Sequence, residues 1–288
     1  MKILITGAGG LLGSHAVKQL IGSNEIHALV HSAPVEAVPD VVYHVVDLAG
    51  SDGLGQLPDE IDAVIHLAQS ARFREFPDQA ADVFNVNVAS TARLLEYARR
   101  SRARAFILAS SGGVYGTGDK AFKENAVIPQ HGQLGYYLGS KLCAEVLAQN
   151  YASLLNVSVL RFFFIYGRGQ KRSMLLPRLV DNIRAGVPIT LQGQDGIRIN
   201  PIHVSYAALA LESCLQLTGS HTFNIAGNEI LTMREIAETI GRAVGREPVF
   251  PSDSVEPRHL IANIDAMKVA LTVPKVRLAQ GIGELLLP

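Results

Sequence analysis

A tyrosine and a lysine four residues apart, Tyr137 and Lys141 in LGYYLGSKLCAEVLAQNY, could move a proton together. Residues at that spacing share one face of a helix. A free phenol titrates at about 10, too high for easy proton exchange at neutral pH. An ammonium beside it favours the phenolate and lowers that value. The same ammonium can hydrogen-bond a ribose and hold a nicotinamide in place. The pair therefore suits an alcohol/carbonyl interconversion in which the tyrosine moves the proton and the nicotinamide the hydride. Tyr136 has only Ser140 at the matching position. A surface helix also produces Tyr-x-x-x-Lys by chance, so the rest of the chain must supply the partner. FILASSGGVYG does so: it ends an apolar run, which puts Ser110 and Ser111 at a strand's carboxyl edge. A hydroxyl there can hold a substrate oxygen in line with the tyrosine; two hydroxyls capping a turn is the other reading.

The chain begins MKILITGAGGLLGSH, a short strand run followed at once by Gly7, Gly10 and Gly13. In an open α/β sheet the turn after the first strand faces the cofactor crevice. There, one glycine permits a tight turn, a second lets the backbone approach a pyrophosphate, and a third lets the helix pack hard on the strand. The free N–H groups and partial positive charge of the helix start then face the phosphates. Leu11 and Leu12 complete the loop. The spacing is Gly-x-x-Gly-x-x-Gly rather than Gly-x-Gly-x-x-Gly. No acid stands at the tip of the second strand to take a ribose; His31 is there instead. No Lys or Arg lies between Gln19 and Ala71, so a clamp for a 2′-phosphate is missing too, which favours NAD and leaves NADP open. Asp47, at the end of VVYHVVDL, is a partner for an adenine amino group or the cap of a turn.

These residues need a scaffold that brings strand ends together. Apolar runs at Ile3–Ile5, Ile26–Val30, Val41–Val46, Ala63–Leu67, Phe106–Ala109 and Val157–Phe164 alternate with the helix-like stretches Leu11–Ile21, Ala80–Arg100 and Tyr136–Leu155. Several runs are continuously apolar, as expected of parallel strands covered on both faces. The order implies an α/β fold, a Rossmann-type doubly wound parallel sheet. After Tyr166 the chain becomes richer in Gly, Pro and Arg. We expect a dinucleotide-binding domain over 1–166 and a smaller substrate-binding part over 167–288, with a soft boundary that the chain can cross. Thr232 and Glu235 form a capping-box pattern at the head of Thr232–Val244.

Composition narrows the function classes. With 288 residues, 48% hydrophobic and 18% charged, this is an ordinary globular chain. Lys+Arg and Asp+Glu are both 26, which argues against general attraction to nucleic acid or anionic membrane. No secretory signal is visible, and no apolar run approaches the roughly 18 residues needed to span a bilayer. Cys143 and Cys214 lack metal-like spacing and read as free thiols in a reducing compartment, so a cytoplasmic location with no metal is expected.

At this point the sequence resembles the extended short-chain dehydrogenase/reductase superfamily, in its nucleotide-sugar epimerase/dehydratase branch. The matching stretches run in order: TGAGGLLGSH, Asp47-Leu48, HLAQ at 66–69, NVNVAST at 85–91, SSGGVYG at 110–116, YLGSK at 137–141, LRFFFIYGRG at 160–169, NPIHV at 200–204 and FNIAGNEILTMREIAETI at 223–240. The resemblance implies that Gly7, Gly10 and Gly13 hold the dinucleotide, that Asp47 and Leu48 contact adenine, and that Leu67, Ala68 and Gln69 line the cofactor. It makes Asn87 a brace for that region and counts Phe163 among the cofactor-binding residues. It makes Ser111, Tyr137 and Lys141 the catalytic set. It implies substrate contacts from Ser111, Gly112, Arg168, Arg172, Arg198 and Arg258, the last two being arginines that hold a nucleotide diphosphate. It also implies a homodimer through the helices matching Ala80–Arg100 and Tyr136–Leu155.

Departures from the pattern carry information. The 4,6-dehydratases place an Asp-Glu pair just after the catalytic hydroxyl residue. Gly112-Gly113 stand here, so the acid and base that expel water are gone. Many sugar-acting members have Asn where this chain has Phe164, and an acid where it has Ser205-Tyr206. The expected function is an NAD(P)-dependent nucleotide-sugar epimerase or a closely related sugar oxidoreductase. A reductase of a non-sugar carbonyl, suggested by Phe162–Phe164, and a non-catalytic cofactor-binding scaffold are the alternatives.

Overall fold

The structure, a computed structural model, describes all residues except 35, 51–52, 130–133, 254 and 287–288. Its centre is one parallel sheet of seven strands: β1 (Lys2–Thr6), β2 (Glu25–Val30), β3 (Val41–Val45), β4 (Ala63–His66), β5 (Ala105–Ser111), β6 (Asn156–Phe162) and β7 (Ser220–Ile225). The order is β7-β6-β5-β4-β1-β2-β3. β1, β4 and β5 are buried almost throughout because helices cover both faces, which is why their sequences do not alternate. β3 closes one edge and is half-exposed. From β1 the chain first winds outward to β3, then returns to add β4 on β1's other side. The carboxyl ends of β1 and β4 therefore flank a switch point, where such sheets open a crevice.

Helices α1 (Leu11–Leu20) and α6 (Val204–Cys214) cover one face, packing Ala16, Val17, Ala207 and Leu211 on Ile3, Ile5 and Ile225. α3 (Ser90–Arg100) and α4 (Gly135–Gln149) cover the other, with Leu94, Leu95, Ala144 and Ala148 on Leu4, Val64 and Phe106. The stretch expected as one regular helix over Ala80–Arg100 is interrupted. α2 (Ala80–Phe84) passes through a π turn at Asn85–Ala89 into α3. The wider turn shifts the buried face, so Asn87 and Val88 point inward where an unbroken helix would bury Val86.

The polypeptide does not divide cleanly at 166. α6 packs on α1, and β7 pairs in parallel with β6, so residues 204–225 belong to the sheet although they follow the change in texture. The remainder forms a smaller core of its own. α5 (Leu175–Ala185) and α7 (Met233–Val244) bring Leu176, Val180, Ile183, Ile236 and Ile240 together with Tyr166 and Ile282. The capping box of α7 is present: the Glu235 N–H donates to Thr232 Oγ1 at 3.1 Å and the Thr232 N–H to a Glu235 carboxylate oxygen at 2.8 Å.

Candidate active site

The first turn explains its glycines separately. Gly7 has φ of +67°, the left-handed region, and a Cβ there would stand 2.8 Å from the Ala68 nitrogen at the end of β4. At Gly13 a Cβ would stand 2.1 Å from the Gly7 carbonyl oxygen, because α1 lies directly on the turn. Gly10 is exposed at the head of α1, and no side chain caps the free N–H groups there. The cradle is thus tight below and open above, which fits a pyrophosphate held by backbone N–H groups. A methyl group at Gly13 must displace the turn, at a cost of about 1–3 kcal/mol. Gly13→Ala is expected to weaken NAD binding by about 5- to 140-fold, by the relation of 1.4 kcal/mol per decade. Calorimetric titration with NAD checks this, and unchanged affinity would show that the turn does not carry the pyrophosphate.

Beside the turn, a buried chain of hydrogen bonds fixes the end of β4. The Ala68 N–H donates to Thr6 Oγ1 at 3.2 Å, and Thr6 Oγ1 lies 2.7 Å from His66 Nδ1. His66 Nε2 lies 3.0 Å from Thr91 Oγ1, which donates its own proton to the Asn87 carbonyl at 2.7 Å. Thr91 therefore accepts from His66, and His66 carries its proton on Nε2. Burial, with the Lys141 ammonium nearby, holds this imidazole at about 3, so it stays neutral at working pH. Asn87 continues the chain: its Oδ1 accepts the Ser70 N–H at 2.9 Å and its Nδ2 donates to Ser140 Oγ at 2.9 Å. Ser140 in turn donates to the Tyr137 carbonyl at 2.6 Å. The side chain of Asn87 thus ties the β4 loop to the helix that carries Tyr137.

Tyr137, Lys141 and Ser111 meet at the carboxyl edge of β5. The two adjacent serines point different ways. Ser110 is buried and donates to Glu145, whereas Ser111 Oγ accepts the Gly113 N–H at 3.2 Å and also hydrogen-bonds the Tyr137 hydroxyl. Lys141 Nζ donates to the Ala109 carbonyl at 3.0 Å and lies 5.9 Å from the centre of the Tyr137 ring. Burial pushes the Tyr137 phenol up to about 12, against a hydrogen bond with Ser111 that lowers it. Burial likewise pulls the Lys141 ammonium down to about 8, while the Glu145 carboxylate resists the change. Two contacts were not legible beforehand: the Tyr137 hydroxyl donates to Gln69 Oε1 at 2.9 Å, and the Phe73 ring tilts against the Tyr137 ring, centroids 4.8 Å apart. Behind them, Glu145 and Arg161 form a buried pair at 2.7 Å that also reaches Tyr115. Glu145 lies one turn beyond Lys141 on the same face, a spacing the sequence did display.

Other expected site residues sort by their neighbours. Asp47 Oδ1 accepts the Ala49 N–H at 2.9 Å, so at least one of its oxygens caps a turn; its side chain is otherwise exposed near the tip of β3. Leu48 is packed in the core beneath, its carbonyl held by Arg93 at 2.6 Å, while His31 is exposed beyond β2. Leu67 and Ala68 are half-buried at the end of β4. Phe163 requires a correction. Its ring is 1% exposed and fills the space that a Cβ on Gly112 would take, 2.3 Å away. It packs beneath Gly112 and Tyr115 and offers no face to a nicotinamide. Arg172 also needs one: its guanidinium is spent on Asp181 and on the Leu285 and Pro177 carbonyls, so it ties α5 to the chain's end rather than waiting for an anion. Arg168 is exposed, its N–H donating to Glu284 at 3.1 Å. Arg198 and Arg258 are exposed neighbours, brought together because the Arg198 N–H donates to His259 Nδ1 at 3.0 Å and the Arg198 carbonyl accepts the Leu260 N–H at 3.1 Å. The same segment pairs through His259 with Gly118, seven residues past Ser111. Phe164 has φ of +42°, a conformation Asn enters more readily than Phe.

Known proteins resemble this chain over nearly its whole length. The profile of the NAD dependent epimerase/dehydratase family matches residues 3–226. A probable UDP-glucuronate 4-epimerase of Rhizobium meliloti is 25% identical, covering 99% of this chain and 95% of that protein. The uncharacterized UDP-glucose epimerase YtcB of Bacillus subtilis is 27% identical over 98% of this chain and 96% of its own. Among solved structures, MoeE5 in complex with UDP-glucuronic acid and NAD superposes with a TM-score of 0.85 at 27% identity, covering 99% of this chain and 97% of that one.

Proposed function

The chain belongs to the NAD dependent epimerase/dehydratase family, and from that premise we propose that it is an NAD-dependent 4-epimerase of a UDP-linked hexose or hexuronate. One observation carries the reading: Tyr137 and Ser111 share a crevice edge with Lys141 behind them, and no acid or base follows Ser111. The residues present fit NAD, in the glycine cradle that a Cβ would fill and in a sequence with no Lys or Arg over residues 20–70, which include the tip of β2. The chemistry that NAD would supply there is reversible uptake of the hydride from the sugar carbon. Ser111, which hydrogen-bonds the Tyr137 hydroxyl, would turn the same O–H to the reacting sugar oxygen when substrate is bound. Tyr137 removes the hydroxyl proton and later gives it back from the same oxygen, which suits a reaction with no net redox change. Lys141 supplies the positive charge that makes phenolate accessible, and Arg198 with Arg258 form the fork that takes the diphosphate.

The test is direct. Purified protein is incubated with UDP-glucuronate, UDP-glucose and dTDP-glucose, and products are separated by chromatography while nicotinamide absorbance is followed. An isomer with no net consumption of reduced cofactor is expected. Loss of water from the sugar, or stoichiometric oxidation of reduced cofactor by a non-sugar carbonyl, would overturn the reading. The non-sugar alternative loses part of its support, because Phe162 and Phe163 are packing residues at 9% and 1% exposure rather than crevice lining.

We further infer a homodimer through α3 and α4. Phe84 on α2, which runs into α3, and Val146 on α4 stand 48% and 58% exposed, which supports a contact there. A monomer mass by light scattering at micromolar protein would count against it. A cytoplasmic location is proposed from the two free thiols. Among the described residues, no helix is long and apolar enough to cross a membrane.

A further inference from the structure

Gln69 has a role that lining a cofactor does not explain. It follows directly on the end of β4, is solvent-exposed, and reaches the Tyr137 hydroxyl, which donates to its Oε1 at 2.9 Å. The two residues are 68 apart in sequence, on elements that the Asn87 bridge already locks together. The segment after Gln69 also folds onto the same helix. Phe73 leans on Tyr137, Phe76 stacks on Tyr136 with centroids 4.9 Å apart, and Arg74 covers Phe73 while reaching Met174 at 3.9 Å. The amide is therefore held over the phenol on a braced strap.

The chemistry of an amide matters here. Its oxygen accepts and its nitrogen donates, and half a rotation exchanges them. A phenol needs an acceptor and a phenolate needs a donor. A proton-transfer tyrosine that must act as base and then as acid is served in both states by such a partner, whereas a carboxylate serves only the first. We propose that Gln69 is a positioning residue for proton transfer, its side-chain amide accepting from the Tyr137 phenol and, turned over, donating to the Tyr137 phenolate. This rests on the epimerase reading for its purpose, though the hydrogen bond itself does not.

Two variants test it, read in two ways. Phenolate absorbance is titrated in NAD-loaded and cofactor-free protein, and the same variant carrying Tyr137→Phe is subtracted so that Tyr137 alone is seen. Gln69→Glu keeps the acceptor, removes the donor and adds negative charge. It is expected to raise the Tyr137 titration by a unit or more, a tenfold change in the phenol–phenolate equilibrium, and to carry the pH–rate profile with it. Gln69→Met removes both functions at similar length. It is expected to slow turnover about 10-fold, a modest part of what acid–base catalysis supplies, with NAD affinity retained. An unmoved Tyr137 titration in Gln69→Glu, or wild-type turnover in Gln69→Met, overturns the proposal. So does a Gln69→Met protein whose only defect is lost NAD affinity, since that would make the residue a cofactor contact. If no nucleotide sugar is isomerised by the wild type, the epimerase reading falls while the titration still reports on Gln69.

Discussion

Tyr137→Phe lowers turnover by about 10²–10⁴-fold and leaves NAD affinity near that of the wild type. The substitution removes one oxygen and keeps the ring that packs on Phe73, so the crevice wall survives. What disappears is the group that carries the proton. Burial sets the starting point of that group unfavourably: the phenol is pushed up to about 12 and the Lys141 ammonium down to about 8, each toward its neutral form. Bringing the phenol into a working range requires positive charge close by. Lys141 offers one such charge, and an oxidised nicotinamide bound over the switch point would add a second. The tyrosine should therefore titrate lower in NAD-loaded protein than without it. Steady-state rates and isothermal NAD titration on the same preparation check the two halves of the prediction. A Phe variant with wild-type turnover would remove Tyr137 from the reaction. One that no longer binds NAD would mean the hydroxyl is part of the cofactor site.

The scaffold behind this pair was legible for a physical reason. Strands covered on both faces must be apolar throughout, so β1, β4 and β5 announce themselves as unbroken runs, and a tight turn at a crevice accounts for glycine at 7, 10 and 13. Tyr137 and Lys141 were legible because their relation is local, one turn of one helix. Relations across elements were not. That Gln69 reaches Tyr137, or that Phe73 leans on it, depends on where the β4 loop lies, and no periodicity encodes that. β7 hid for a different reason. It reads SHTFNI, with polar residues at its start, because it is an edge strand whose first half is not covered. Phe163 and Arg172 misled in the opposite direction. Each belongs to a residue type suited to a ligand, an aromatic ring for a nicotinamide and a guanidinium for a phosphate, yet each is already occupied, by Gly112 and Asp181 respectively.

The largest effect on stability is expected from the pair beneath the site. Glu145 and Arg161 lie 2.7 Å apart with side chains 4% and 6% exposed. Ser110, Tyr115 and the Glu124 carbonyl engage further polar atoms of the pair, and the Tyr115 hydroxyl donates to Asn224 Oδ1 at 2.8 Å. Removing one partner leaves an uncompensated buried charge, so Arg161→Met should cost about 3–5 kcal/mol, a large share of the roughly 5–15 kcal/mol that holds a domain together. Glu145→Leu combined with Arg161→Met should cost less than Arg161→Met alone, because no charge is then stranded. Chemical denaturation measures both. A loss below about 1 kcal/mol, the range of exposed pairs, would mean that water reaches the site. The pair also acts on catalysis through Lys141. The Glu145 carboxylate raises the Lys141 titration against the burial that lowers it, so Glu145→Gln should lower it further. Lys141 works as a cation, and a lower titration removes the charge at lower pH. The alkaline fall of the pH–rate profile should therefore move toward neutral in Glu145→Gln. Should that limb stay in place while stability falls, the pair holds the scaffold and leaves the lysine's charge to its burial alone.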